Sequence, residues 1–500
     1  HVRSRRQRQM CIRDSTYPLF ERNAMEHCLK FYIDGEWVAP AVPRVMDLLD
    51  PATEKLKGRV ALGSAQDVDR AVDAATAAFE SFQNTSREER LALFDRIITA
   101  FRARQEDVGR AVTRDLGTPT WFASGYQTSM SLDHFIEARR LLETYPFEFH
   151  LDGNVIRREA FGVCGLITAW NWPGQLITSK VAPALAAGCC IVLKPSEFAP
   201  NTAVVLAEIL HAAGVPRGVF NLVLGDGPGV GAAISAHPRI DLISFTGSKP
   251  AGVAITRAAA ETVKAVHLEL GGKSANIILP DADLAAAVAD GVHRSFINSG
   301  QSCIAPTRML VHESRMADAV GIARETAMNV TVGDPFDPKT RLGPVANAAQ
   351  YERVQTMIQA GIDDGATLVC GGLGRPQGIE RGYFVRPTVF SDVTPRMRIA
   401  QQEIFGPVLS IMSYRDEDDA ICIANGTTYG LAGYVFSADL RSAARVATRL
   451  KAGRIFLNGS PTNPRAPFGG YKQSGNGREW GVFGLETFLE VKAVLGQLTV

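Results

Sequence analysis

Cys303 closes the run Asn298-Ser-Gly-Gln-Ser-Cys303, between a helical pattern and the strand-like run Arg308 to Val311. A thiolate is a nucleophile that reacts readily at neutral pH, and backbone N–H groups beside it favour ionisation and can stabilise an oxyanion. Taken alone, such a cysteine reads more readily as a small buried hydrophobe. Its company changes that reading. Five short apolar runs upstream end in polar residues or glycine: Asn171, Lys194, Gly225, Gly247 with Ser248, and Glu269. Ligands of open parallel sheets bind outside the carboxyl ends of the strands, so these residues should converge on one crevice.

The elements that must position them follow from periodicity. Helical patterns cover Gln66 to Glu80 and Arg87 to about Leu116, the second opened by Ser86 as N-cap with Glu89 three residues on. From Phe161 onward, strands at Phe161 to Ala169, Cys190 to Leu193, Val219 to Leu224, Asp241 to Phe245 and Ala265 to Leu268 alternate with helical segments. That alternation predicts βαβ units and a parallel, helix-covered sheet. A second α/β series runs from about Asp283 to Asn458, with strands at Arg308 to Val311, Val408 to Tyr414, Gly433 to Phe436 and Arg454 to Leu457. The tail Thr487 to Leu495 is a strand-like run that would suit edge pairing with a partner subunit.

Two glycine loops resemble phosphate-binding motifs without completing them. Gly227-Pro-Gly229-Val-Gly-Ala232 fits G-x-G-x-x-A after a strand, yet lacks the acidic residue about 20 positions later. Gly271-Gly-Lys-Ser274 has His267 where a phosphate loop needs its first glycine. Phe245-Thr-Gly-Ser248 is better placed, joining a strand end to a helix start whose free N–H groups can face a pyrophosphate.

Composition removes other classes. Lys plus Arg total 53 against 52 acidic residues, so no basic excess exists to neutralise nucleic acid. No apolar run reaches the roughly 18 residues of a membrane span. The eight cysteines form no C-x-x-C pair or metal-ligand spacing, which favours free thiols in a reducing, cytoplasmic setting and no metal. Residues 1–24 carry six arginines against Asp14 and Glu21. They show neither a signal-peptide apolar run nor a helical stripe, so they read as a non-native or disordered leader before Met25.

Seven motifs occur in the order and approximate spacing of the aldehyde dehydrogenase superfamily. They are Trp170-Asn171-Trp-Pro173, Lys194-Pro-Ser-Glu197, Phe245-Thr-Gly-Ser248, Leu268-Glu269-Leu-Gly-Gly-Lys273, Gly300-Gln-Ser-Cys303, Glu403-Ile-Phe-Gly-Pro-Val408 and Pro467-Phe-Gly-Gly-Tyr-Lys472. The chain resembles that family from about Phe31 to Leu495. The resemblance implies that Cys303 attacks an aldehyde, Asn171 holds the oxyanion, and Glu269 is the base that activates water for thioester hydrolysis. It implies NAD as cofactor, with Lys194 and Glu197 at the adenine ribose, Ser248 at the pyrophosphate, and Glu403 with Phe405 at the nicotinamide ribose. Thr168, Trp170, Ser196, Gly227, Phe245, Gly247 and Leu270 complete that expected crevice. Lys180 and Glu479 match proton-relay positions, or form a surface or structural salt bridge. Trp172, Leu176, Ser302, Ile304 and Phe468 would line a mainly apolar tunnel, with Arg465 beside it as either a carboxylate partner or a surface residue.

The expected architecture is α/β, an aldehyde dehydrogenase-like fold with two parallel-sheet domains and a small arm. Residues 25–141 with 161–271 would bind NAD, residues 272–475 would form the catalytic domain, and residues 142–160 with 476–500 the bridging and oligomerisation arm. The expected partners are a small aldehyde and further copies of the chain in a homodimer or homotetramer, with no nucleic acid and no membrane. Retention of Glu269 argues against a phosphorylating or CoA-acylating dehydrogenase. The presence of Cys303, Glu269 and Asn171 together argues against a catalytically silent scaffold. A cysteine hydrolase would need a histidine partner such as His267 or His293, yet no hydrolase motif surrounds either.

Overall fold

The computed structural model describes residues 26–496; the leader expected at 1–24 lies outside the described residues. Five runs of apolar residues, Val163–Ile167, Cys190–Lys194, Phe220–Leu222, Leu242–Thr246 and Ala265–Glu269, pair in parallel. The first four are buried at nearly every position, as strands covered on both faces must be. The hairpin Phe31–Ile33 and Glu36–Val38 closes one edge antiparallel, and Gly475–Asn476 the other. The chain steps outward from Val163–Ile167 to Phe220–Leu222, then crosses back to lay Leu242–Thr246 on the other side of Val163–Ile167. The strand order therefore reverses between these two neighbours. Such a switch point opens a crevice at the carboxyl ends.

The seven-stranded second sheet runs Thr367–Cys370, Thr388–Ser391, Val408–Tyr414, Arg308–His312, Ala275–Ile278, Ala432–Phe436, Arg454–Leu457. All its pairings are parallel except the first. Glu269 ends a strand of the first sheet and Ala275 begins one of the second. The intervening turn thus lies between carboxyl ends of one sheet and amino ends of the other. Cys303 precedes Arg308–His312, the neighbour of Ala275–Ile278, so topology brings it to the same junction.

The expected helix starts and strands are present, including the reciprocal Ser86–Glu89 box (Glu89 N to Ser86 Oγ 3.1 Å, Ser86 N to Glu89 Oε2 2.7 Å). One expectation needs correction. The helix from Arg87 to Leu116 is two helices, Arg87–Ala103 and Gln105–Leu116, separated at Arg104 with φ −120° and ψ 18°. The Arg104 guanidinium is drawn to Asp107 (2.8 Å) and Glu208 (2.7 Å). No glycine or proline marks the break, so periodicity runs through it. The C-terminal strand Leu489–Val494 pairs inside the chain with Asn154–Ala160, and Glu148–Leu151 completes a three-stranded antiparallel sheet. Only its outer edge remains for another chain.

Candidate active site

The loop before Cys303 is wound against ordinary backbone preference. Asn298 (φ 55°), Ser299 (φ 58°) and Gly300 (φ 72°) are successive left-handed residues, a conformation that costs roughly 1–2 kcal/mol for each non-glycine residue. Side chains hold it there. Asn298 Oδ1 accepts from Thr118 Oγ1 (2.9 Å) and Gln127 Nε2 (3.2 Å), and its Nδ2 donates to the Asn171 carbonyl at 2.8 Å. Ser299 Oγ donates to the Gly343 carbonyl (2.8 Å), while Gln301 Oε1 accepts from Ala346 N at 2.8 Å. A Cβ on Gly300 would stand 2.2 Å from the Gly406 backbone. The loop is pinned on every side.

Asn171 is buried, and its Nδ2 donates to the Gln301 carbonyl at 3.1 Å. The amide is thereby aimed at the segment that carries Cys303. Burial, followed by the charges of Glu403 and Glu269, pushes the Cys303 thiol up; the N–H groups of Cys303 and Ile304 lower it but are outweighed. The expected activation by backbone N–H groups is thus present and insufficient without a base.

Glu269 is buried, and neither carboxylate oxygen has a hydrogen-bond partner among the described residues. Burial first and the Glu479 charge second hold its pKa well above the ordinary carboxylate range. Gly469 lies so close that a Cβ there would come within 2.8 Å of Glu269 Oε1. Glu479 and Lys180 form a buried ion pair. Ser179 Oγ donates to Glu479 Oε2 at 3.3 Å, and Lys180 Nζ donates to Ser244 Oγ at 3.0 Å. A surface salt bridge is therefore the wrong description of Lys180 and Glu479.

At the switch point, the Thr168 and Thr246 hydroxyls are buried without a partner among the described residues, beyond or at the ends of the two neighbouring strands. Such orphans mark where a polar ligand belongs. Lys194 Nζ and Glu197 Oε2 pair at 3.1 Å, and Ser196 Oγ accepts from Phe198 N at 3.3 Å. Ser248 caps the helix Lys249–Ala260, accepting from Ala251 N at 3.4 Å. Phe245 is buried, and its ring fills the space a Cβ on Gly247 would need. Leu270 is buried beneath Gly252, and Trp170 meets Phe405 edge-on at 5.4 Å. Glu403 Oε1 accepts from Gly272 N at 3.0 Å, and burial pushes its carboxyl to about 7. Phe405 has φ 62°, secured by Gln350 Nε2 donating to its carbonyl at 2.7 Å.

In Gly271-Gly-Lys-Ser274 the first glycine lets Glu403 approach, since a Cβ would meet Oε2 at 2.1 Å, and the second lets the Cys303 carbonyl approach. Gly227 begins an exposed turn where Asp226 Oδ1 accepts from Gly229 N at 2.7 Å. Its Cα faces open space.

Around Cys303, Ile304 and Phe468 pack with Met130, Leu431 and Trp480, and the Phe468 and Trp480 rings stack at 4.7 Å. Trp172 meets Phe122 and Tyr126 edge-on at 5.4 and 6.0 Å. Leu176 and Ser302 are buried nearby in sequence, on the helix after Trp172 and just before Cys303. Sequence reading missed Asn298 and Gln350 as clamps and Trp480 as a wall. Asn298 stood inside a quoted motif and Trp480 beside Glu479, so proximity was the available signal. Arg465 is two-thirds exposed and paired with Glu137 at 3.3 Å, so it is the surface residue of the two alternatives.

A doubly wound sheet whose carboxyl-end crevice adjoins a clamped cysteine and a buried carboxylate defines a cysteine enzyme of the dinucleotide-binding α/β class. Residues 37–494 match the sequence model of the aldehyde dehydrogenase family. The chain belongs to that family. It is 53% identical to a 3-succinoylsemialdehyde-pyridine dehydrogenase from Pseudomonas sp over 93% of this chain and 98% of the relative. A crystal structure of a Cys-to-Ala variant of aldehyde dehydrogenase C from Pseudomonas syringae, complexed with NAD+ and octanal, superposes with TM-score 0.94 at 52% identity, covering 95% of this chain and 98% of that one. Betaine aldehyde dehydrogenase from Staphylococcus aureus, in complex with NAD+, gives TM-score 0.92 at 35% identity over 96% of each chain.

Proposed function

We propose that this chain is an NAD-dependent aldehyde dehydrogenase that forms a carboxylic acid through a thioester on Cys303. The observation that carries the reading is the buried, unpartnered Glu269 carboxylate within charge-interaction range of Cys303. Cys303 gives its thiol proton to water, its Sγ attacks the aldehyde carbon, and the developing oxyanion is held by the second N–H of the Asn171 amide and the Cys303 backbone N–H. NAD, when bound, accepts the hydride that this carbon loses, leaving the thioester. Glu269 then takes a proton from water, the resulting hydroxide attacks the thioester, and Cys303 departs as thiolate. The raised pKa makes the ionised Glu269 a stronger base. The Glu479–Lys180 pair lies within its field and offers a route for the proton.

The orphan hydroxyls of Thr168 and Thr246, the Ser248 helix start and the Glu403 carboxylate fit a nicotinamide dinucleotide laid across the switch point. Glu197, beside Lys194, would accept ribose hydroxyls and repel a 2′-phosphate, so NAD is favoured over NADP. Residues 25–141 with 161–271 serve the cofactor and 272–475 the chemistry. The arm of residues 142–160 and 476–500, whose sheet Glu148–Leu151, Asn154–Ala160 and Leu489–Val494 leaves Val491 exposed, is the part through which a homodimer or homotetramer forms. The described cysteines are all free, which suits a cytoplasmic enzyme. The mainly apolar wall points to aldehydes with a hydrophobic or aromatic body. NADH formation from NAD across aliphatic, aromatic and carboxylated aldehydes tests the reading. Absence of NADH with every aldehyde would overturn it, and equal kcat/KM with NADP would remove Glu197 from cofactor selection.

A further inference from the structure

Arg454 opens the strand Arg454–Leu457, and a strand-end arginine would be expected to reach solvent. It does so only in part. Its guanidinium lies over the Trp480 ring at 4.4 Å from the centroid and near Phe468 at 5.3 Å, two of the rings packed around Cys303. Nη2 donates to the carbonyls of Ala466 (2.8 Å), Pro467 (3.1 Å) and Asn463 (3.4 Å). Nη1 is buried and has no partner among the described residues. The groups in its field are Tyr434, Tyr126 and Glu269, all at or around the proposed aldehyde pocket. His134, which meets the Trp480 ring at 5.2 Å, is pushed down to about 3 by burial first and the Arg454 charge second, and supplies no counter-charge. Arg454 forms no ion pair among the described residues, whereas the exposed Arg465 is paired with Glu137.

A half-buried cation with one buried, unused donor costs stability unless something else completes it. We infer that Arg454 is the specificity-determining residue of the aldehyde pocket. Its free Nη1–H receives a second oxygen of the substrate, a carboxylate or ketone oxygen carried beyond the reacting carbon. Preferred substrates are then aldehydes bearing such an oxygen, and plain alkanals are the poorer ones. A site built to hydrogen-bond a substrate group discriminates strongly against the analogue that lacks it, because the buried donor is then left unpaired. The inference rests on the dehydrogenase reading above.

The test compares kcat/KM, by NADH formation, within matched pairs: butanal with succinic semialdehyde, and octanal with its 4-oxo derivative. The wild type should favour the oxygen-bearing member by about 10- to 100-fold. Arg454→Met should bring that ratio toward unity. Arg454→Lys, which keeps the charge but loses the planar fork, should retain part of the preference for the carboxylate and less for the ketone. A carboxylate-only preference would identify the anion as the ligand, a ketone-only preference the neutral oxygen. Equal kcat/KM within both pairs in the wild type would overturn the inference without any variant. A ratio unchanged in Arg454→Met, with both members slowed alike, would overturn it too and leave Arg454 as a brace for the 463–468 segment. Failure of the dehydrogenase reading looks different, because then octanal and butanal also give no NADH.

Discussion

The nucleophile and the base of this site are built in opposite ways. The Asn298–Gly300 loop spends three left-handed residues to place Cys303, and Asn298, Ser299 and Gln301 all have their side chains hydrogen-bonded. Glu269 ends a regular strand, and its carboxylate meets no donor among the described residues. Leaving a buried polar group unpaired costs about 1–3 kcal/mol, more for a charge. The difference teaches what each group must do. A nucleophile needs one fixed trajectory, so its backbone is over-determined. A base that must take a proton from a water has to be left free to receive that water, so its environment withholds partners and accepts the instability.

The largest effect that could break this comparison is loss of the nucleophile. Cys303→Ala should abolish aldehyde-dependent NADH formation while leaving NAD binding, measured by calorimetry, nearly intact. Turnover above background would end the assignment of Cys303. Next in size is Glu269→Gln, which keeps the shape of the side chain and removes its basicity. It should yield up to about one NADH per site in a burst, followed by turnover slower by roughly 10²- to 10⁴-fold. Intact mass of the quenched burst should place an acyl group on Cys303. A variant that stalls without a burst would mean that Glu269 also serves thiol deprotonation, which the raised Cys303 pKa makes a sharp question.

The over-determined half is tested at Gly300. Alanine there must adopt φ near 72° and meet the Gly406 backbone at 2.2 Å, so the loop has to move. We expect kcat/KM to fall about 10- to 100-fold, since displacement of the nucleophile by 1 Å costs on that scale, together with a lower Tm. Gly321→Ala is the control: it lies within the helix Met316–Met328, with nothing within 4 Å of its added Cβ. That change should stabilise by up to about 1 kcal/mol. Equal, small effects at both glycines would show that the loop is less constrained than its hydrogen bonds imply.

The strands carrying the site were legible because buried parallel strands are continuous apolar runs, and polar residues such as Lys194 and Glu269 end them visibly. Asn171, Cys303 and Glu269 were legible as residues, but not their environments. The surroundings of Glu269 include Gly469, Arg478 and Glu479, some 200 positions away in sequence and near in space. The break at Arg104 leaves no residue signature, since its cause is a contact with Glu208. Arg454 and Arg465 illustrate the limit. Eleven positions apart, one opens a strand-like run and the other stands beside the expected tunnel, and only the packing of Trp480 and Phe468 shows that the half-buried Arg454 is the one that reaches the rings around Cys303.

The smallest predicted effect isolates the instability stored at the base. In the unfolded chain the Glu269 carboxyl titrates near 4.5, whereas burial and the Glu479 charge raise it well above that in the fold. Well below that unfolded value both states are protonated and no penalty arises. As pH climbs past it, the unfolded state releases its proton first, so the folded state loses relative stability. The loss grows until pH exceeds the folded pKa and is constant thereafter. Glutamine does not titrate, so Glu269→Gln should differ little in Tm from the wild type near pH 5. It should become progressively more stable than the wild type, by a few degrees, toward about pH 8. The slope of the difference is the readout, because the amide leaves its own polar atoms unpaired and offsets the absolute value. Glu479→Gln in the same background should flatten that slope only if Glu479 contributes through Glu269. A Tm difference that stays level across the range would mean that the carboxylate finds partners in solution, and the contrast between the two halves of the site would dissolve.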